Sequence, residues 1–151
     1  MAQVENAPPS IAIKLVYCGP FGSGKTTNLH QLYARLNDRY RSRMLSLDPT
    51  QTTDAELLYH TRPVDADHRP TMFFDLLPIV LDTDAGRLKL RLVAVPGDSM
   101  YEPTRRLLLR STDGVVFVAD SSLTPEENQR SFSDLRSSLR ENGRAPDSMP
   151  L

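Results

Sequence analysis

Cysteine is almost absent: Cys18 is the single one in 151 residues. No disulfide forms within the chain, and no Cys/His spacing suggests zinc. Long apolar runs are missing too, none approaching the roughly 18–20 residues of a membrane span. Neither sign of charge dominates, since 18 Lys and Arg stand against 19 Asp and Glu for a net charge of −1. That balance lacks the basic footprint of a nucleic-acid or anionic-membrane binder. The opening residues carry no basic stretch followed by an apolar run, and Ala2 stands where N-myristoylation needs glycine. These absences leave a soluble, cytoplasmic protein as the expectation. What is there suffices for a folded core: 39% hydrophobic residues and a mean hydropathy of −0.39 in a chain of single-domain length. Proline is abundant, at 12 residues, about 8% against a typical 5%.

Residues Met1–Ser10 read as a loose leader, and 11–151 as the domain. Ile11–Tyr17 is an apolar, β-branched run broken once by Lys14, the pattern of a mostly buried strand. After the loop Gly19–Gly24, Leu29, Leu32, Tyr33 and Leu36 fall on one helical face. That helix fades into Arg35, Arg39, Arg41 and Arg43, read as a solvated helix end favoured by the dipole. From Leu47 to Pro70 the pattern breaks into turn signals, with one short helix expected around Asp54–Tyr59. Thr71–Leu81 and Leu88–Val95, joined by a short Gly-containing connection, predict an antiparallel hairpin. Pro78 inside the first strand places that strand at the rim of the sheet. A short helix is expected around Pro103–Arg110, and Gly114–Ala119 is a fully apolar strand. Thr124-Pro125-Glu126-Glu127 is a capping box with proline at the first helical position. Phe132, Leu135 and Leu139 line the helix that follows, and Asn142-Gly143 stops it. The stretch from Arg144 onward is too short for a further element.

Gly19-Pro20-Phe21-Gly22-Ser23-Gly24-Lys25-Thr26 matches G-x-x-x-x-G-K-[ST] in full. A phosphate chain needs several inward backbone N–H donors, so side chains must be absent where the loop wraps it. Gly19, Gly22 and Gly24 meet that need, and the helix opening near Lys25 aims its positive end at the same place. Lys25 adds a point charge for the β and γ phosphates, and Thr26 offers a hydroxyl to Mg²⁺. The whole stretch Gly19–Thr27 is the expected nucleotide site. The motif follows an apolar strand and opens an amphipathic helix, as its mechanism requires.

The hairpin after the first helix separates the chain from kinases and transport ATPases, whose sheets are typically all parallel. Val95-Pro96-Gly97 sits where a small GTPase carries the turn whose glycine N–H senses the γ-phosphate. With Gly19-Pro20, Gly24–Asn28, Phe73-Phe74-Asp75-Leu76-Leu77-Pro78 and Asp113–Ser121, the sequence resembles the MglA-type gliding-motility and cell-polarity small GTPases of bacteria. The resemblance runs from about Ile11 to Gly143. It implies a Ras-like P-loop NTPase fold, a three-layer α/β sandwich with a mostly parallel sheet and one antiparallel edge hairpin. It also implies GTP and GDP as ligands, Mg²⁺, slow hydrolysis, and a roadblock-type (MglB) activating partner that engages switch I and switch II. Carried over by position, Thr71 matches the switch I threonine that reaches the γ-phosphate or Mg²⁺, with Thr50, Thr52 and Thr53 as competing metal candidates. Gly97 matches the switch II glycine. Tyr101, Arg105 and Arg106 would lie in switch II as partner contacts.

Several positions depart from the family. Asp98 stands where a glutamine usually positions the attacking water, and a carboxylate there repels the γ-phosphate. Pro70 occupies the place of the switch I arginine, leaving Arg69 one residue earlier as the candidate. Ala94 replaces the Mg-side aspartate of Ras-like proteins, and Leu47–Pro70 looks like an insertion. The guanine-reading N-K-x-D motif is absent, and the last two strands of the fold are missing. The expectation is therefore a C-terminally truncated domain, or one whose exposed Gly114–Ala119 edge is covered by something else. Two other classes compete with a hydrolysing GTP switch: a degenerate scaffold that binds proteins without hydrolysis, and an ATP-using P-loop enzyme.

Overall fold

Strand β1 (Ser10–Cys18) is apolar at successive positions toward its carboxyl end, where both of its faces are covered. Val16 and Cys18 point to one side, where they join Phe74, Leu76, Val93, Val95 and Val115. Leu15 and Tyr17 point to the other, against Leu77, Ile79, Leu92 and Ala94. The structure, a computed structural model, describes residues 8–47, 74–97 and 102–151. The expected helix at Asp54–Tyr59 lies outside the described residues.

The elements follow the order β1, α1 (Lys25–Arg35), β2 (Leu45–Leu47), β3 (Phe74–Thr83), β4 (Gly86–Ala94), α2 (Glu102–Leu108), β5 (Gly114–Phe117) and α3 (Pro125–Glu141). A 3-10 turn at Pro146–Ser148 comes last. The sheet order is β2-β3-β4-β1-β5. β1 pairs in parallel with β4 and β5. β3 and β4 form the expected antiparallel hairpin, in the register Asp75↔Ala94 through Thr83↔Gly86. Leu29, Leu32, Tyr33 and Leu36 of the first helical segment cover one face. Leu108 and Leu109, with Leu135 and Leu139 of α3, cover the other. The result is a three-layer sandwich.

Two neighbourhoods correct the sequence reading. Pro78 does not sit in the rim strand, because the three-residue β2 pairs outside β3. The Pro78 carbonyl accepts from Ser42 N–H at 3.0 Å, which turns that residue's backbone polar groups away from β4. Its missing N–H therefore costs no bond in the long β3–β4 ladder. The arginine patch is also more than a solvated helix end. Arg41 stacks on the Tyr33 ring at 3.8 Å, donates to the Tyr33 carbonyl, and pairs with Asp38.

The ends of α3 form as their residues dictate. Thr124 and Glu127 exchange capping bonds, the Glu127 N–H donating to Thr124 Oγ1 at 3.2 Å and the Thr124 N–H to Glu127 Oε2 at 2.9 Å. Gly143, at φ 72°, closes a Schellman turn in which Gly143 N–H reaches Arg140 O and Arg144 N–H reaches Leu139 O. Beyond it the backbone returns to the sheet, and Val115 N–H donates to Pro150 O at 2.9 Å. Met149 is buried in the same apolar cluster. The residues after Arg144 thus line the outer side of β5, the end strand among the described residues.

Lys14 introduces a charge into this frame. Its ammonium donates to the Arg110 carbonyl at 3.1 Å and its backbone N–H to Asp113 at 2.8 Å. Burial, and then repulsion from Arg91, lower its pKa to about 8, against a smaller opposing pull from Asp113. An unfolded lysine holds its proton up to about 10.5. Between these values the unfolded chain binds the additional proton, so stability rises with pH across that window. Lys14→Met should abolish the rise, which is on the order of 1–3 kcal/mol. Urea unfolding of both proteins near pH 7.5 and near pH 10 measures it.

Candidate nucleotide-binding site

The phosphate loop leaves the carboxyl end of β1, where the chain order reverses: β4 lies on one side of β1 and β5 on the other. Such a switch point is where open α/β sheets bind ligands. The loop glycines are required for different reasons. Gly24, the residue before α1, has φ 92°, and Gly22 has φ 75°, a left-handed region that side chains disfavour. Gly19 is pressed against the strand next door, where a Cβ would lie 2.1 Å from the Val118 carbonyl oxygen. No side chain caps α1, so its first N–H groups remain donors at the loop.

Lys25 is buried within the loop. Its ammonium donates to Pro20 O at 2.6 Å, to Gly19 O at 3.0 Å and to Ser23 Oγ at 3.3 Å. Burial lowers its pKa, against an opposing pull from Cys18 that outweighs a smaller repulsion from Arg105. The Phe21 side chain is 79% exposed. Thr27 is exposed in the first turn of α1. Thr26 is exposed as well, and its hydroxyl donates to Asp75 Oδ2 at 2.6 Å.

Asp75 was not singled out in the sequence. It stands directly opposite Ala94 in the β3–β4 ladder, the position at which the resemblance leads one to expect an aspartate. Asp75 thus brings a carboxylate to this corner from the adjacent strand. Period-2 alternation through Phe74-Asp75-Leu76 places it on the α1 face, but only the hairpin register reveals its partner.

Gly97 follows β4 and rests on the loop. A Cβ there would lie 2.5 Å from Phe21 N and Pro20 C, and 2.6 Å from Gly19 O. Phosphate loop and post-β4 turn are therefore in backbone contact. Both border a groove of about 360 Å³ that runs to Leu123, Glu127 and Arg130 beside α3.

The remaining expectations divide. Thr71, Arg69, Asp98 and Tyr101 lie outside the described residues, as do Thr50, Thr52 and Thr53. Arg106 is partly exposed and pairs with Glu102 and Glu141. Arg105 is a correction: it is 4% exposed and offers no surface to a partner. A short helix carries too little periodicity in its sequence to reveal this. Cys18 is inert packing, buried in the core with its thiol pKa pushed up to about 12 by desolvation. No cluster of three or more His, Cys, Asp or Glu residues able to hold a metal occurs among the described residues. No helix among them is long and apolar enough to cross a membrane.

A complete G-x-x-x-x-G-K-T loop between a parallel strand and a helix, with an antiparallel hairpin beside it, defines a Ras-like P-loop NTPase fold. No family model matches the chain. It is 35% identical over 145 residues to the Mutual gliding-motility protein MglA of Myxococcus xanthus (strain DK1622), a match covering 95% of this chain and 66% of that protein. The chain belongs to the MglA-type small Ras-like GTPases. It spans slightly under two thirds of the length of the relative it matches.

Proposed function

We propose that this protein is a guanine-nucleotide switch that binds GTP and GDP at Gly19–Thr27 and hydrolyses GTP slowly, with help from a partner. The observation that carries this reading is the contact of Gly97 with the loop backbone. A ligand that adjusts Gly19–Phe21 would press on Gly97 as well, which suits a switch. Family membership supports guanine as the base.

The Thr26 hydroxyl and the Asp75 carboxylate form a pair of hard oxygen donors 2.6 Å apart, a fit for Mg²⁺. When bound, such an ion screens the negative charge of the β and γ phosphates. Thr26 and Asp75 would hold it, with Thr71 as the third expected ligand. Lys25 and the N–H groups of the loop and of α1 bind the phosphate oxygens and orient the chain of phosphates. Asp98, beside Gly97, and Arg69, displaced by Pro70, account for slow hydrolysis, which a partner at switch I and switch II would assist. A roadblock-type (MglB) protein is the partner the family suggests. The groove between Phe21 and α3 adds a further surface at the same seam.

Equilibrium binding of fluorescent GTP and ATP analogues to the purified protein tests the reading. GTP-type analogues should bind in the micromolar range or tighter, and ATP-type analogues markedly more weakly. Failure of both to bind a folded protein overturns the switch. Binding of GTP with no phosphate released, even over days with an activating partner, removes hydrolysis alone and leaves the non-hydrolysing scaffold. Asp75→Ala should raise the Mg²⁺ concentration needed for half-maximal nucleotide retention by about tenfold, on the scale of one lost charge-assisted contact. Nucleotide off-rates at graded Mg²⁺ give that number.

A further inference from the structure

A second cavity, of about 630 Å³, opens at the amino end of β5, away from the phosphate loop at the carboxyl end of the parallel β1. Its volume falls in the range of about 300–1,000 Å³ typical of small-molecule sites. Arg110, Ser111 and Asp113 line it from the turn between α2 and β5. Glu141, Asn142 and Arg144 line it from the end of α3 and the turn that follows. The two carboxylates are engaged away from the arginines. Asp113 Oδ2 accepts from the Lys14 backbone N–H at 2.8 Å, and Glu141 Oε2 pairs with Arg106 Nε at 2.7 Å. Among the described residues, neither Arg110 nor Arg144 closes an ion pair or donates a side-chain hydrogen bond. Two guanidiniums thus stand on the wall of one cavity with their donor forks unused.

The backbone that carries them is fixed. The Arg110 carbonyl accepts from the Lys14 ammonium at 3.1 Å, and the Asp113 N–H donates to the Lys14 carbonyl at 2.9 Å. Ser111, between them, takes a left-handed φ of 56°, which a non-glycine residue holds only where its surroundings impose it. On the facing wall, Arg144 N–H reaches Leu139 O at 2.9 Å, and Asn142 Nδ2 donates to the Arg106 carbonyl at 2.8 Å. A guanidinium is planar, permanently charged and matched to two oxygens at once. Mounted on a preset wall, two of them cost a ligand little ordering. We propose that this cavity is a second ligand site, which takes a small molecule bearing a doubly charged oxyanion, a phosphate ester or a dicarboxylate, between Arg110 and Arg144. The site uses no residue of the phosphate loop and stands apart from the nucleotide-switch reading.

Heteronuclear NMR of the isotopically labelled full chain tests this, with inorganic phosphate, succinate and acetate added in turn at physiological ionic strength. Phosphate, succinate or both should shift the signals of Arg110, Ser111, Asn142 and Arg144 along one saturating curve, with a midpoint in the millimolar range or tighter. Acetate, with a single charge, should need at least about tenfold more. Phosphate held by the loop moves a separate set of signals, those of Gly19–Thr26, so the two sites are read apart. Arg110→Gln and Arg144→Gln should each raise the midpoint about tenfold, the scale of one charge-assisted contact, and leave the loop signals in place. A response to phosphate alone identifies a phosphate ester as the ligand class, and a response to succinate alone a dicarboxylate. Shifts that never saturate, equal midpoints for acetate and succinate, or midpoints unchanged in both glutamine variants overturn the proposal and leave the cavity a solvated surface.

Discussion

Gly97→Ala is expected to uncouple the post-β4 turn from the phosphate loop and to lower Tm by about 3–10 °C. The three atoms that its Cβ would meet, Phe21 N, Pro20 C and Gly19 O, all belong to backbone and lie within 2.6 Å. Backbone cannot rotate aside as a side chain can, so either the loop or the turn must move by roughly an ångström. Overpacking of this kind costs about 1–3 kcal/mol, which in a chain of this size corresponds to that Tm change. The cost is collision rather than dihedral strain, because Gly97 is not among the glycines with positive φ. If the contact transmits the presence of a third phosphate, the variant should also bind GTP and GDP with nearly equal affinity. Differential scanning fluorimetry reads the first effect and nucleotide titration the second. A variant as stable as wild type, with its GTP preference intact, would mean that the close approach is not needed.

Lys25→Met is expected to weaken nucleotide binding by two powers of ten or more while leaving the fold in place. The ammonium makes three bonds to loop oxygens and is the one cationic group within the motif. Charge-assisted bonds to phosphate contribute about 1.5–3 kcal/mol each. Losing two of them corresponds to at least about a hundredfold in Kd. The folded chain loses little, because the ammonium is held in a desolvated position that already disfavours its charge. A methionine of similar length fills the space without that penalty. Unfolding curves without nucleotide should therefore nearly superimpose, while titrations with GTP should separate widely. Comparable binding by both proteins would show that the N–H groups alone hold the phosphates.

The parts legible from sequence were those whose physics is local. Phosphate chemistry demands glycine and lysine at fixed spacing, so Gly19–Thr26 identified its own strand, loop and helix. The Thr124–Glu127 box and Gly143 specified both ends of α3 through bonds spanning only a few residues. What escaped depended on residues brought together from afar. Leu45–Leu47 carries no alternation long enough to read, and becomes a strand only because β3 lends it a ladder. Asp75 is an ordinary aspartate until the hairpin register sets it beside Ala94 and the packing of α1 on the sheet brings Thr26 to it. Arg105 reads as surface because arginine usually is, yet the tertiary packing buries it. Pro78 misled for the same reason: the rule about proline concerns the direction of one N–H, which a sequence does not display.

The burial of Cys18 has a practical meaning for chemical labelling. A thiol 1% exposed and ionising only near 12 will not react with maleimide while the protein is folded. Cysteines introduced at exposed positions can thus be tagged singly, with the native thiol left in place. The same thiol is a clock, because it is alkylated only when the chain opens at the junction of β1 and the loop. The rate of that reaction reports how often the junction breathes. A nucleotide seated on the loop should slow it in proportion to its occupancy.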